Sequence, residues 1–326
     1  MHQGRLAGRG RLPGRRGVAP AEHSSAREAA GAAALLLAAA AILGVNYVVL
    51  KWALRGAGPL TVALFRAAFG SATMLVVCAV TRTSLRIPWR RDELAAMLVP
   101  ATAMGVSQLA FVLGVKNTAA GLASIISNSM PVFSALLAWA VVKERPSRPA
   151  LVGIVVAVAG VVVAATVAGG GHATRPLGVL MMLLAVLTWA SSNVSLKRRR
   201  PAGGEIAFAT WMLLVGSVVF TPLSGAVEGW EMHFTWKLAL EALYAGGVSQ
   251  IGFLLTLVVL RRGSVTRAGS VSFLVPVFAV GAGALLLHEA VRWQELAGGA
   301  LIFCGVALVV FGGLLGGRRL WRRRPG

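Results

Sequence analysis

The chain repeats itself. Pro131 is followed thirteen residues later by Glu144; Pro276, 145 residues further on, is followed thirteen residues later by Glu289. The first copy reads SNSMPVFSALLAWAVVKE (Ser127 to Glu144) and the second SFLVPVFAVGAGALLLHE (Ser272 to Glu289). Upstream, GVSQLAF (Gly105 to Phe111) is echoed by GVSQIGF (Gly247 to Phe253). Elements repeated in the same order imply a duplicated structural unit.

Composition identifies the solvent for these two halves. Of the 326 residues 57% are hydrophobic and only 13% charged, with a mean hydropathy of +0.76, against roughly 25% charged in a soluble domain. Uncharged stretches of about 20 residues, enough to cross a hydrocarbon core ~30 Å thick, recur throughout. Ten spans are expected, near 29–50, 59–80, 94–115, 121–142, 149–168, 177–196, 206–223, 238–260, 268–287 and 296–315. Lipid makes each span satisfy its own backbone, so all ten should be α-helices. A β-barrel would alternate apolar and polar residues, and runs such as LVGIVVAVAGVVVAATVA do not. The fold class is therefore an all-α integral membrane protein. Its short connections leave no room for a soluble catalytic domain.

The net charge of +21 invites a nucleic-acid reading, which its distribution rejects. Arg5, Arg9, Arg11, Arg15, Arg16 and Arg27 precede the first span, and Arg318, Arg319, Arg322, Arg323 and Arg324 follow the last. With ten spans both tails share one side. Among loop cations only Lys51, Arg55, Lys116, Arg175, Lys237 and Arg292 fall on the other. That is the positive-inside pattern, and it places both termini in the cytoplasm and the protein in the cytoplasmic membrane. The first apolar run is too long for a signal peptide and reads as the first membrane helix. Residues 1–28 and 316–326 are basic tails; the Gly/Arg/Pro-rich residues 1–20 are expected to be disordered and raise the question of a misplaced start codon. Cys78 and Cys304 lie inside spans and read as small packing residues.

Five spans precede Gly169-Gly170-Gly171-His172 and five come after it, giving one five-helix repeat over 29–168 and a second over 177–315. An odd number of crossings per repeat turns the second copy upside down. Glu144 then ends a helix on the cytoplasmic side and Glu289 its counterpart on the outer side. Inverted repeats of this kind place a site at their interface near mid-membrane, opened to either side by exchanging asymmetry between the halves. That is the architecture of a secondary transporter. Two halves in one chain make a monomer sufficient and leave a dimer open.

Several segments resemble the ten-helix, EamA-type members of the drug/metabolite transporter superfamily. LGVNYVVLK (Leu43 to Lys51) is similar to the family's first-helix signature, with Leu43 in place of the usual Trp, and WASSNVSLK (Trp189 to Lys197) repeats it in the sixth helix. PLTVALFR (Pro59 to Arg66) fits the Pro-then-Arg pattern of the second helix, and the two Pro-to-Glu units complete the match over about residues 30–315. The resemblance implies export of small metabolites, with amino acids or related compounds as the class. The small multidrug-resistance relatives rely on a glutamate in their first helix. The first span here has none, which favours anionic or zwitterionic cargo over lipophilic cations.

Within the spans a short list of residues could do the work. Arg66, about 10 Å into the second span at 1.5 Å per residue, costs about 2.5–3.5 kcal/mol at mid-membrane on insertion scales. It either faces a cavity and pairs with substrate carboxylate or phosphate, or snorkels and caps neighbouring carbonyls. The offset of 145 puts Trp211 in the equivalent place of the second half, so the charge is not duplicated. Gln108 and Gln250 are repeated buried amides that either meet substrate or bridge helices. Asn46 and Asn193 pose the same choice, with Tyr47, Trp189 and Trp211 as aromatic walls and Tyr244 as a further one. Pro131 and Pro276 should kink their spans and free the carbonyls of Ser127 and Ser272, whose hydroxyls either line a pathway or bond within their own helix.

Lys51 and Lys197 end the first and sixth spans; topology explains Lys197, whereas Lys51, on the Lys-poor side, is a gating or substrate-attracting candidate. Glu144 and Glu289 either hold gates or form local pairs, for instance with Arg145 or Arg292. Glu241, about one turn from a span's end, reads as interfacial. No proton relay of Asp, Glu or His is legible.

Other classes compete. A sugar-phosphate or nucleotide-sugar exchanger of the same fold would use Arg66 as a phosphate clamp. A channel or scaffold needs no rocking site. A lipid-modifying enzyme needs a nucleophile with its base, or a metal. His2, His23, His172, His233 and His288 are scattered through tails, loops or a helix end, and no H-E-x-x-H, nucleophile elbow or Walker loop occurs, so no enzyme, cofactor or metal site is expected. The expected partners are a small-molecule substrate and membrane lipids.

Overall fold

The computed structural model describes residues 21–85, 91–144, 146–166, 174–198, 204–229, 234–262 and 265–321. They form ten helical units and, among the described residues, no strand. The units are α1 (Ala21–Gly56), α2 (Pro59–Thr81), α3 (Arg91–Lys116), α4 (Ala120–Val142), α5 (Arg148–Ala165), α6 (Pro176–Arg198), α7 (Gly204–Glu228), α8 (236–262), α9 (Val265–Leu287) and α10 (Trp293–Trp321). Nine are long and apolar enough to cross a membrane, and α9 contributes a shorter apolar stretch, Phe273–Leu287. The ten expected spans are thus found. The basic tails fall largely outside the described residues.

Two units are interrupted, for different reasons. In α4 the helix stops at Ser127, resumes at Met130 and ends in a π turn over Ala138–Val142. Pro131 lies in the first turn of the resumed piece, where its missing N–H costs nothing. Its repeat-mate Pro276 lies inside the unbroken α9, so the two prolines, expected to act alike, do not. In α8 a π turn covers Tyr244–Val248 and contains Gly246 and Gly247, with no proline.

The pairing of helices carries the inversion. The broadest packing is α5 on α10, α3 on α6, α1 on α9 and α2 on α7, each joining one half to the other. Exchanging the halves converts α1–α9 into α6–α4 and α3–α6 into α8–α1, both of which also occur. The equivalent helices α2 and α7 run antiparallel: Leu60 and Thr61 at the start of α2 meet Glu228 at the end of α7, while Cys78 near the end of α2 meets Thr210 near the start of α7. Equivalent helices in opposite directions are what a two-fold axis in the membrane plane produces.

Small residues allow this closeness. A Cβ added at Gly153 would lie 2.5 Å from the Gly305 carbonyl oxygen, and one at Gly160 would lie 2.7 Å from that of Gly298. Lipid offers no hydrophobic drive between helices, so backbone approach through glycine supplies the α5–α10 contact. The core is shared: Leu50 of α1, Leu122 and Ile126 of α4 and Met182 of α6 are fully buried. Valines such as Val80 and Val155 face outward, as a lipid-facing shell requires.

Candidate functional site

The Arg66 guanidinium is buried rather than snorkelled. It is 7% exposed, and its helix backs onto the π turn of α8: a Cβ on Gly246 would lie 2.7 Å from the Arg66 carbonyl oxygen. Two residues of α3, one turn apart, hold the side chain. Nη2 donates to Gln108 Oε1 at 3.5 Å, and Cζ stands 5.1 Å from the centre of the Phe111 ring. Phe111 meets Tyr47 of α1 edge to face, with centroids 5.5 Å apart. Tyr47 in turn faces Ser127 of α4. Arg66, Tyr47, Gln108 and Ser127 are therefore one cluster built by four helices of the first half, against α8 of the second.

That cluster is incompletely satisfied. Arg66 Nε and Nη1 are buried without a hydrogen-bond partner among the described residues; the same holds, outside the contacts just described, for Asn46 Oδ1 on α1, Thr118 Oγ1 and Trp211 Nε1 on α7. Buried polar atoms ordinarily find partners, and each exception asks for a reason. Ser127 also donates to its own helix at Ala123 O, 3.0 Å away.

Other expected residues lie elsewhere. Asn193 Nδ2 approaches Met130 Sδ at 3.5 Å, joining α6 to α4. Trp189 and Gln250 are half-buried on α6 and α8. Tyr244 opens the π turn and donates to Ile42 O of α1 at 3.1 Å. Glu241 is buried, with Lys237 and Arg55 as its charged neighbours. The side chains of Ser272 and Lys197, and Arg145, lie outside the described residues.

At one end of the bundle, Lys51 and Glu289 form an ion pair 238 residues apart in sequence, joining α1 to the end of α9. Glu289 Oε2 also accepts from the Ala120 backbone N–H at 2.7 Å, so the carboxylate sits on the positive end of α4. One side chain thus ties the second half to two helices of the first. Glu144, its repeat-mate, is exposed at the other end.

Sequence reasoning missed three participants. Phe111 is the last residue of GVSQLAF, and its helical spacing from Gln108 was the available signal. Glu228 accepts from the N–H groups of Leu60 and Thr61 at 2.7 and 2.9 Å and from the Thr61 hydroxyl at 2.8 Å, capping α2 across the repeat boundary. It has no repeat-mate and gave no signal. Glu295, 3% exposed in the first turn of α10, has Glu289 and Arg292 among its charged neighbours.

Comparison with known proteins agrees with this architecture. The chain is 28% identical over 275 residues to an uncharacterized transporter, YvbV, of Bacillus subtilis, covering 82% of this chain and 87% of the relative. It is 29% identical to a probable amino-acid metabolite efflux pump of Salmonella typhimurium (83% and 92% covered). It is also 29% identical to a probable terminal-alkyne amino-acid exporter of Streptantibioticus cattleyicolor (81% and 88%). A solved crystal structure shares the fold, with a TM-score of 0.59 at 17% identity over 88% of this chain and 97% of that one. The EamA-like transporter family matches twice, over residues 30–166 and 176–311. With both halves matched, this chain belongs to the EamA-like transporter family.

Proposed function

We propose that the protein is a secondary transporter that exports small metabolites, amino acids or related zwitterionic or anionic compounds, by alternating access. It resides in the cytoplasmic membrane with both termini in the cytoplasm, so the Lys51–Glu289 end faces outward. The observation that carries this reading is the buried Arg66 guanidinium with Nε and Nη1 unpartnered. A cation at that depth needs a counter-charge, and a travelling anion supplies one. Relatives named as amino-acid metabolite efflux pumps support the cargo class and the direction.

Gln108, Tyr47 and Asn46 border the cargo in this scheme, with Trp189, Asn193, Trp211 and Gln250 contributed by the second half. The π turn of α8, packed on the Arg66 backbone, gives the site a place to flex, since such turns often mark functional positions. Pro131, Pro276, Ser127, Ser272, Lys51, Glu144 and Glu289 shape or hold the two gates.

The test compares extracellular metabolites from cells expressing the wild type, Arg66→Ala or no protein, at matched membrane levels. A compound enriched outside only with the wild type identifies the cargo. Unchanged export by Arg66→Ala removes Arg66 from the site, and a phosphorylated cargo would replace this reading with the exchanger.

A further inference from the structure

The Arg66 cluster can discriminate among anions as well as attract them, and calling its ligand a cargo rests on the transport function proposed above. A guanidinium has five N–H donors in a fixed plane. Here Gln108 takes one from Nη2 at the long distance of 3.5 Å, and the Phe111 ring covers a face at 5.1 Å. A cation–π contact of that kind offsets only part of the cost of burying an ion. The α3 residues therefore orient the group without neutralising it. Among the described residues no carboxylate pairs with Arg66, whereas Glu228 and Glu289 are committed to capping and clasping.

The charge count narrows the ligand. The cluster supplies one positive charge, matching one negative charge. A phosphate monoester brings close to two, which a lone arginine leaves half-balanced. A carboxylate brings one, and its planar pair of oxygens fits the planar donors of a guanidinium. Of the other buried unpartnered atoms, Asn46 Oδ1, Thr118 Oγ1 and Trp211 Nε1–H, none is charged. The Asn46 oxygen suits an O–H or N–H donor and the Trp211 indole N–H an oxygen acceptor, and neither supplies a counter-charge to an ammonium.

We propose that Arg66, positioned by Gln108 and Phe111, is a receptor for a single carboxylate, so that the acid group and not the amine of the cargo is the obligatory recognition element. Phe111 acts through Arg66 and is a positioning residue, and Gln108 positions Arg66 while bordering the cargo.

The test is a binding measurement on the purified full-length protein in detergent, independent of transport. Thermal unfolding is followed with equal concentrations of 4-methyl-2-oxopentanoate, which has the acid without the amine, of leucinamide, which has the amine without the acid, and of inorganic phosphate, all at one ionic strength. The oxo acid should raise the unfolding temperature by about 3 °C at well above half-saturation, and leucinamide and phosphate should leave it within error. Arg66→Gln should abolish the shift. Gln108→Leu and Phe111→Leu should raise the half-saturating oxo-acid concentration about ten-fold, each measured against that variant's own ligand-free unfolding temperature, a loss of affinity that lowered stability alone would not produce.

Absence of an oxo-acid shift in the wild type overturns the proposal. So does a leucinamide or phosphate shift of equal size, both readable without any variant. A normal oxo-acid shift in a protein that exports nothing would instead overturn the transport reading and leave the carboxylate receptor standing.

Discussion

Glu144 and Glu289 end the two copies of the same Pro-to-Glu unit, and their backbones agree closely. The residue before each is left-handed, Lys143 at φ 60° and His288 at φ 56°. Each glutamate N–H then reaches back six residues, to Ala138 O at 3.4 Å and Gly283 O at 3.2 Å. Both ends close on a left-handed residue with a hydrogen-bonded loop one residue wider than that of a Schellman motif. What was duplicated is thus a way of stopping a helix. The side chains part company: Glu289 is clasped by Lys51 and Ala120 N–H, and Glu144 is exposed. One scaffold presents the same carboxylate in a largely buried and in an exposed setting.

The largest expected effect breaks that difference. Glu289→Gln leaves Lys51, whose side chain is only 15% exposed, without its counter-charge and weakens the bond to Ala120 N–H. Removing one partner of a mostly buried pair should cost about 2–4 kcal/mol. Glu144→Gln should cost less than about 1 kcal/mol, as for an exposed group. Thermal or detergent-induced unfolding of the two variants measures both. Equal losses would mean that the clasp contributes no more than the exposed copy does. Lys51→Met combined with Glu289→Gln should be less destabilising than the sum of the singles, with a coupling of about 1–3 kcal/mol.

The next effect concerns the joint beside the clasp. On α1, Gly44 packs so closely on α9 that an added Cβ would stand 2.5 Å from Phe278 Cβ and 2.7 Å from the Val275 carbonyl oxygen. A backbone oxygen cannot yield as a side-chain tip can, so Gly44→Ala should destabilise by about 1–3 kcal/mol. Gly281, on α9 itself, has nothing within 4 Å of its added Cβ, and Gly281→Ala should gain up to about 1 kcal/mol from helix propensity. If both variants behave alike in unfolding, the α1–α9 joint is not the tight side of the molecule.

These contrasts also mark what the sequence could disclose. The ten helices were legible because lipid imposes length and apolarity on every span. The inversion was legible from the odd number of crossings in each repeat. Arg66 stood out because a charge inside a span is rare, but its burial beneath Phe111 depends on α3, which no local pattern reports. The clasp was half legible: Lys51 and Glu289 were each singled out, yet a pairing across 238 residues requires knowing that α1 runs beside α9. Glu228 was invisible, since a carboxylate after an apolar run looks like any helix end until the start of α2 is placed against it. The π turn of α8 needs no proline, so its glycines alone did not announce it. Phe253 shows the limit of the repeat itself: it matches Phe111 in GVSQIGF, yet it is 45% exposed where Phe111 is 9%, because α8 turns that face outward.

The smallest effect tests where the copies should agree. At a left-handed position a side chain costs roughly 1 kcal/mol that glycine does not, offset in part by glycine's greater freedom when unfolded. Lys143→Gly and His288→Gly should therefore each stabilise the protein by about 0.5 kcal/mol, readable as matched rises in unfolding midpoint. Because φ and the six-residue hydrogen bond are shared, backbone physics gives no reason for the two to differ. A gain at Lys143 with a loss at His288 would place the imidazole among the groups that hold the Lys51–Glu289 end together. The asymmetry between the two ends would then begin one residue earlier than the glutamates.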